Sequence, residues 1–376
     1  MVSRVLLFLT ICGPLCGAED LAGQARQAQA RGDYRSAAEA WRKIVATDPD
    51  NPEARSNFGV VLQLAGQDTE ALQQLRLALR QKPGLVAANL FAGIALVKLG
   101  RPREAIDYLE RARAADGPGV APRLALGRAY VALREFDKAN RSYREAAERD
   151  PRSTDAWFGA GITYRNLADS ELRKTGGLET GETRQLLAQA LEALMRAVEL
   201  DPGSERVHLM LAESLGDSGR FLDSVQEYGK ALGLHPDSVA ANLGLATVHW
   251  KSGETESALP PLRRVLELSP KDPEANGIMA DILTRQGDYD AAIRHAKMAL
   301  AGNPELPHVR TALAKAYLAE KRADLAVPEL EKAAPYDVTG HSHFLLYQAF
   351  KQLGREEDAK AALVKFKQLR GLPVYP

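Results

Sequence analysis

One spaced pattern recurs every 34 residues along this chain and leaves little choice but stacked pairs of short helices. It is a small residue, an aromatic or Leu three later, Gly four later, Ala five later, a large residue four later, Ala three later and Pro five later. Gly59, Leu62, Gly66, Ala71, Leu75, Ala78 and Pro83 follow it, and Gly93, Leu96, Gly100, Ala105, Leu109 and Ala112 repeat it. Gly127, Tyr130, Ala139, Tyr143, Ala146 and Pro151 continue it. Later copies hold Ala212, Gly219, Tyr228, Ala231 and Pro236; Ala246, Gly253, Ala258 and Pro270; Ala280, Gly287, Ala292, Ala299 and Pro304; and Ala314, Tyr317, Ala326 and Ala333. The first positions fall on one helix, A, and the last on a second, B. The Gly between them supplies a left-handed turn residue. Small residues let the helices approach, and large ones fill the space between crossings. The Pro ends helix B and opens the next A.

These residues resemble the tetratricopeptide repeat (TPR). Trp157, Gly161 and Tyr164 give its first helix in the fullest form. The resemblance covers 19–376 and implies an all-α fold, a right-handed α-solenoid of about ten helix-turn-helix units. The first unit keeps Gly32, Tyr34, Ala37, Trp41 and Pro49 but has a weak helix A, and the last keeps Phe350, Gly354, Ala359 and Phe366. Weak end units fit, because each has one neighbour to pack on.

Two departures stand out. In the fifth unit Ala190, Leu194, Ala197 and Pro202 arrive 17 residues late. The excess, about 165–189, reads as lengthened helices around a Gly-rich loop. Pro260, Pro261 and Pro328 fall within helix B segments. They are expected in a first turn, with Ser257 capping a delayed start.

The N-terminus reads as a secretory signal over residues 1–18. Arg4 is the positive end, Val5 to Ile11 the apolar stretch, and Cys16-Gly17-Ala18 offers small residues for cleavage. This seven-residue stretch is too short to span a bilayer. Both cysteines, Cys12 and Cys16, lie in this segment, so the mature chain needs no disulfide and holds no thiolate. A lipid anchor at Cys16 is the minor alternative, since Leu15 precedes it where a lipidation signal wants a small residue. Periplasmic or secreted location follows, with outer-membrane anchoring as that alternative and no membrane span after cleavage.

Lys+Arg and Asp+Glu number 49 each, so no global field draws the chain to nucleic acid. Gly176-x-x-x-x-Gly181-Glu182-Thr183 mimics a phosphate loop, but Glu182 stands where Lys must be. Gly216-Asp217-Ser218-Gly219 mimics a protease nucleophile loop and falls instead on a helix-helix turn. His341 and His343, two apart, do not share a helix face and lack metal-ligand spacing. No catalytic residues, cofactor site or metal site is expected.

The resemblance implies that a protein or peptide partner lies in a concave groove lined by the A helices. By register that face carries Asn57, Leu90, Ile94, Arg128, Phe158, Ile162, Arg165, Asn166, Arg206, Leu209, Glu213, Trp250, Asp281, Arg285 and Lys315. Apolar positions lead, and cationic ones run from Arg128 to Arg206, which suits a segment with apolar and acidic residues. Trp250 sits one past its core column and reads equally as a contact or as packing. The expected function is a non-catalytic exported scaffold in envelope assembly or secretion. The alternative is a self-associating solenoid subunit of a larger complex.

Overall fold

A computed structural model describes residues 14–117, 119–176 and 178–372. Every regular element among them is helical, and the helices come in successive antiparallel pairs. Two compact bodies divide the chain after Asp201. The first holds α1 (Pro14–Ala30) with α2 (Tyr34–Thr47), α3 (Pro52–Leu64) with α4 (Asp68–Gln81), and α5 (Val86–Lys98) with α6 (Pro102–Asp116). It continues with α7 (Ala121–Ala132) and α8 (Phe136–Arg149), then α9 (Thr154–Lys174) and α10 (Gly181–Leu200). The second holds α11 (Glu205–Asp217) with α12 (Phe221–Leu234), α13 (Val239–Lys251) with α14 (Thr255–Leu268), and α15 (Pro273–Gln286) with α16 (Tyr289–Gly302). It ends with α17 (Pro307–Ala319) and α18 (Ala323–Ala333), a single 3-10 turn at Ala334–Tyr336, then α19 (His341–Gln352) and α20 (Glu356–Leu369). Within each body the first helix of a pair also touches the first helix of the next, as α3 does α5 and α15 does α17.

The residues that fix each turn are those the periodicity singles out. Between the helices of a pair, Gly32, Gly66, Gly100, Gly176, Gly219, Gly253, Gly287 and Gly354 all have positive φ. Arg134 (φ 58) and Lys321 (φ 61) hold the same place without being glycine. That conformation costs an L-residue about 1–2 kcal/mol, which the flanking pairs absorb. Close approach explains the other glycine column. A Cβ on Gly59 would lie 2.5 Å from Leu75 Cγ, and one on Gly161 would lie 2.6 Å from Leu194 Cγ. Leu75 and Leu194 are fully buried against those bare backbones.

A further column was not anticipated. In the first turn of eight A helices a side chain reaches back to a carbonyl six residues earlier, at the exit of the preceding B helix. Arg55 donates to Pro49 O (2.6 Å), Asn89 to Pro83 O (2.8 Å), Arg123 to Gly117 O (3.1 Å) and Trp157 to Pro151 O (3.0 Å). His208 Nε2 lies 2.9 Å from Pro202 O, and Asn242, Asn276 and Arg310 donate to Pro236 O, Pro270 O and Pro304 O at 3.0, 3.0 and 2.7 Å. The pattern covers residue types as unlike as Trp and Asn because only one N–H donor at the right reach is required. Each bond satisfies a carbonyl that the ended helix leaves bare. A second arm often meets the pair's own B helix. Arg55 reaches Gln74 (3.1 Å), His208 Nδ1 lies 2.6 Å from Glu227, Asn276 pairs with His295 (2.8 Å), and Arg310 pairs with Glu329.

One expectation needs correction here. α14 starts at Thr255 without a delayed start, so Pro260 and Pro261 lie in its interior, and Pro328 lies inside α18. Ser257 is therefore a helix residue and not a cap. The turn at Gly253 sets the helix start, and the packing of Ala258, Leu262 and Val265 holds the helix through its prolines. The enlarged fifth pair has α9 of 21 residues and α10 of 20, against 13 in α3 or α11. Residues 1–13 of the proposed signal segment, Cys12 included, lie outside the described residues. Pro14–Ala30 is one helix, so Cys16 and the cleavage point after Ala18 fall within α1.

Replacing Gly59 by Ala is expected to destabilise the protein by about 1–3 kcal/mol, because Leu75 must leave its rotamer. Urea unfolding of the two proteins measures it, and an unchanged midpoint would contradict the close approach.

Candidate binding face

The A helices put their exposed and half-buried residues along one side of each body. In the first body Leu90 and Ile94 on α5 are half-buried and pack on the core cluster beneath. Ile162 on α9 is also half-buried, and Asn57 on α3 is exposed. Phe158 does not belong to this face. It is 7% exposed, turned into the helix packing by its place in the first turns of α9. Arg128 on α7 is exposed but paired, donating to Asp155 Oδ2 on α9 at 3.0 Å. The Asn166 amide donates to Ile162 O within its own helix. Arg165 is half-buried. The cationic character expected of this stretch is thus partly neutralised by Asp155, which stands one turn away on the next A helix.

In the second body Leu209 and the exposed Arg206 and Glu213 stand on α11. Leu209 and Glu213 line a cleft of about 380 Å³ between α11 and α13, floored by Tyr228 and Leu243. Gly216 and Ala240 are among the small residues of its wall. The residue 34 positions after Gly216 is Trp250. At the rim Lys251 lies 3.9 Å from Asp217. Nothing in the sequence pattern marks Gly216 as unusual, since small residues are common along these helices.

Trp250 is half-buried and bonded across the repeat. Its indole N–H donates to Asp281 Oδ2 at 2.8 Å, and its ring lies 5.8 Å from that of His308. Asp281 is 9% exposed and also takes Arg285 at 2.7 Å. Asp281 is thereby tied to α13 and to Arg285 of its own helix, whose side chain stays exposed. A second cleft of about 430 Å³ follows, lined by Asp281, His308, Lys315, Asp337 and His341 among others. Asp337 accepts from the backbone N–H of Thr339 (2.9 Å) and of Ser342, which orders the entry to α19. The hydrogen bonds from Thr339 and Ser342 outweigh burial and hold the Asp337 carboxyl below its ordinary value. His341 and His343 open α19, and burial pushes both imidazoles down, with Lys315 adding to the effect at His341. Among the described residues no group of three or more His, Cys, Asp or Glu is placed to hold a metal, and no helix is long and apolar enough to cross a membrane.

Two models of the tetratricopeptide repeat match the chain, one at residues 23–86 and 209–273, the other at 96–160 and 283–343. The chain belongs to the tetratricopeptide-repeat family. Its TPR units are similar to the human antiviral innate immune response effector IFIT1, at 23% identity over 212 residues. That match takes in 53% of this chain and 44% of IFIT1, so the chain spans less than half the length of that curated relative. A solved monomeric mutant of IFIT1 with Gppp-AAAA superposes with a TM-score of 0.53 at 18% identity, over 81% of this chain and 68% of that one. Yeast Tom70 gives a TM-score of 0.43 at 15% identity, over 96% of this chain and 92% of its own. At these identities the likeness is one of fold.

Burial pushes the imidazoles of His295 and His308 below their ordinary value, outweighing the nearby Glu274 at His308. Below about pH 6.5 the unfolded chain takes up protons at these sites more readily than the TPR fold does. Stability is therefore expected to fall between about pH 7 and pH 5.5, before the carboxylates titrate. Urea midpoints across that range test it, and His308→Gln should flatten the slope.

Proposed function

We propose that this TPR protein is a non-catalytic scaffold that holds a polypeptide on the face of its A helices, outside the cytoplasm, in envelope assembly or secretion. The observation that carries the reading is the cleft between α11 and α13, where Leu209, Leu243 and Tyr228 make an apolar floor on that face. An apolar side chain of an extended or helical segment fits there, and half-buried Leu90, Ile94 and Ile162 extend the same chemistry along the first body. Arg128, Arg206 and Lys315 add polar contacts beside them. Nucleic acid is not the proposed ligand. The charges balance at 49 each, and Arg128 and Arg285 are paired with Asp155 and Asp281. The Gppp-AAAA ligand belongs to the IFIT1 structure.

The alternative is a self-associating structural subunit. It draws on Tyr336 and Val338, 62% and 84% exposed, which stand together between α18 and α19. Size in solution over a range of concentrations separates the two.

Ala240→Trp fills the cleft without touching the core, since Ala240 is exposed. Combined with Leu209→Glu, it is expected to lower partner recovery in a pull-down from the native cell by about tenfold or more. Unchanged recovery by a folded variant removes the cleft from the reading. Export is tested separately. The purified protein should begin at Glu19, whereas a chain beginning at a lipidated Cys16 would favour the lipid-anchor alternative. A chain retaining residues 1–18 within the cytoplasm would contradict it.

A further inference from the structure

A different notch lies at the enlarged fifth pair, on the side of α9 that meets α8 and α10. It measures about 440 Å³. Pro151, Trp157 and Tyr164 form its walls, and Arg144, Glu148 and Glu192 stand among its polar lining. Its origin lies in the two-armed tie described above. In several pairs the first-turn side chain meets a polar partner from the pair's own B helix, as Arg55 meets Gln74, His208 meets Glu227 and Arg310 meets Glu329. The equivalent of that partner in the enlarged pair is Ala193, once the 17 extra residues are counted. Trp157 keeps its bond to Pro151 O, and Ala193 has no polar group to offer it, while Gln189 and Glu192 of α10 line the notch beside it. The space that Gln74, Glu227 and Glu329 fill in their pairs is open here.

The chemistry left in the notch is specific. Two aromatic rings, of Trp157 and Tyr164, line the notch, and aromatic rings attract cations. Arg144 lies 3.9 Å from Glu148, so those two charges offset each other. Glu192 is exposed and has no ion-pair partner among the described residues. An aromatic wall beside an uncompensated carboxylate selects a cation, and a planar guanidinium stacks on indole better than an ammonium does.

We propose that this notch binds an arginine side chain of a partner polypeptide, stacked on Trp157 and paired with Glu192. It is a second contact site, separate from the face of the A helices, and it stands or falls independently of the cleft between α11 and α13.

The test uses the full chain carrying Trp41→Phe and Trp250→Phe, which leaves Trp157 as the single indole. The probe is a blocked Gly-Arg-Gly peptide, compared with the same peptide holding citrulline, which keeps the shape and removes the charge. The arginine peptide should change Trp157 fluorescence saturably, and the citrulline peptide should bind about fivefold or more weakly. Glu192→Gln should weaken the arginine peptide by a similar factor. Ala193→Gln should abolish the response by restoring the side chain that Gln74 supplies in the second pair. Circular dichroism reports whether each variant keeps its helix, and Glu192→Gln, an exposed substitution, carries the test if Ala193→Gln does not fold. A helical protein with no fluorescence response, or with equal responses to the two peptides, overturns the proposal.

Discussion

The stack depends on how each pair is joined to the pair before it. A B helix that stops leaves carbonyls without partners, and the next A helix begins only a few residues later. One side chain in the first turn of that A helix supplies the missing donor, from Arg55 through to Arg310. The bond spans the junction, so it sets the angle at which the new helix leaves as well as satisfying a polar group. Its net worth is modest, about 1 kcal/mol apiece. Repetition makes it matter, because in a repeat array stability is close to a sum of neighbour terms. Apolar contacts such as Leu75 on Gly59 then supply most of the free energy within each pair.

Much of this architecture is legible in the chain before any coordinates. Gly66, Gly100 and Gly253 mark turns because only a left-handed residue closes so short a connection. Ala71, Ala105 and Ala258 mark crossings because larger groups do not fit there, and all three are fully buried. The turn reading of Gly216-Asp217-Ser218-Gly219 follows from register alone, and Gly219 does take positive φ. What was not legible lies between neighbouring repeats. Arg128 reads as a free cation until Asp155, 27 residues on, is seen to meet it. Phe158 shares its helix with groove residues yet faces inward, since a one-position error in helical phase moves a side chain by about 100°. The hydrogen bond of Trp250 to Asp281, 31 residues on, is likewise a link between repeats that the pattern does not show. The Arg55-to-Arg310 column was missed because its members share a donor and not a residue type.

The enlarged fifth pair shows how one local change affects both packing and recognition. Lengthening α9 and α10 keeps the core contacts of Gly161 with Leu194, so the repeat register resumes at Pro202. The same pair sets Ala193 where its counterparts carry Gln74 or Glu227, and an aromatic surface is left uncovered. The candidate face and the notch share one trait. Each is lined by a small residue of a repeat column, Gly216 in one case and Ala193 in the other.

Adjacent prolines in α14 carry a consequence for solvent. Pro260 and Pro261 have no amide hydrogen to offer the carbonyls of Glu256 and Ser257, one turn back. Both of those residues are exposed, so water must complete the two missing rungs. The first turn of this helix thus depends on solvent, and a drying event there, such as contact with an apolar surface, would strand two acceptors at once. That makes this flank of the second body a poor surface to bury, a form of protection that arises from backbone chemistry alone.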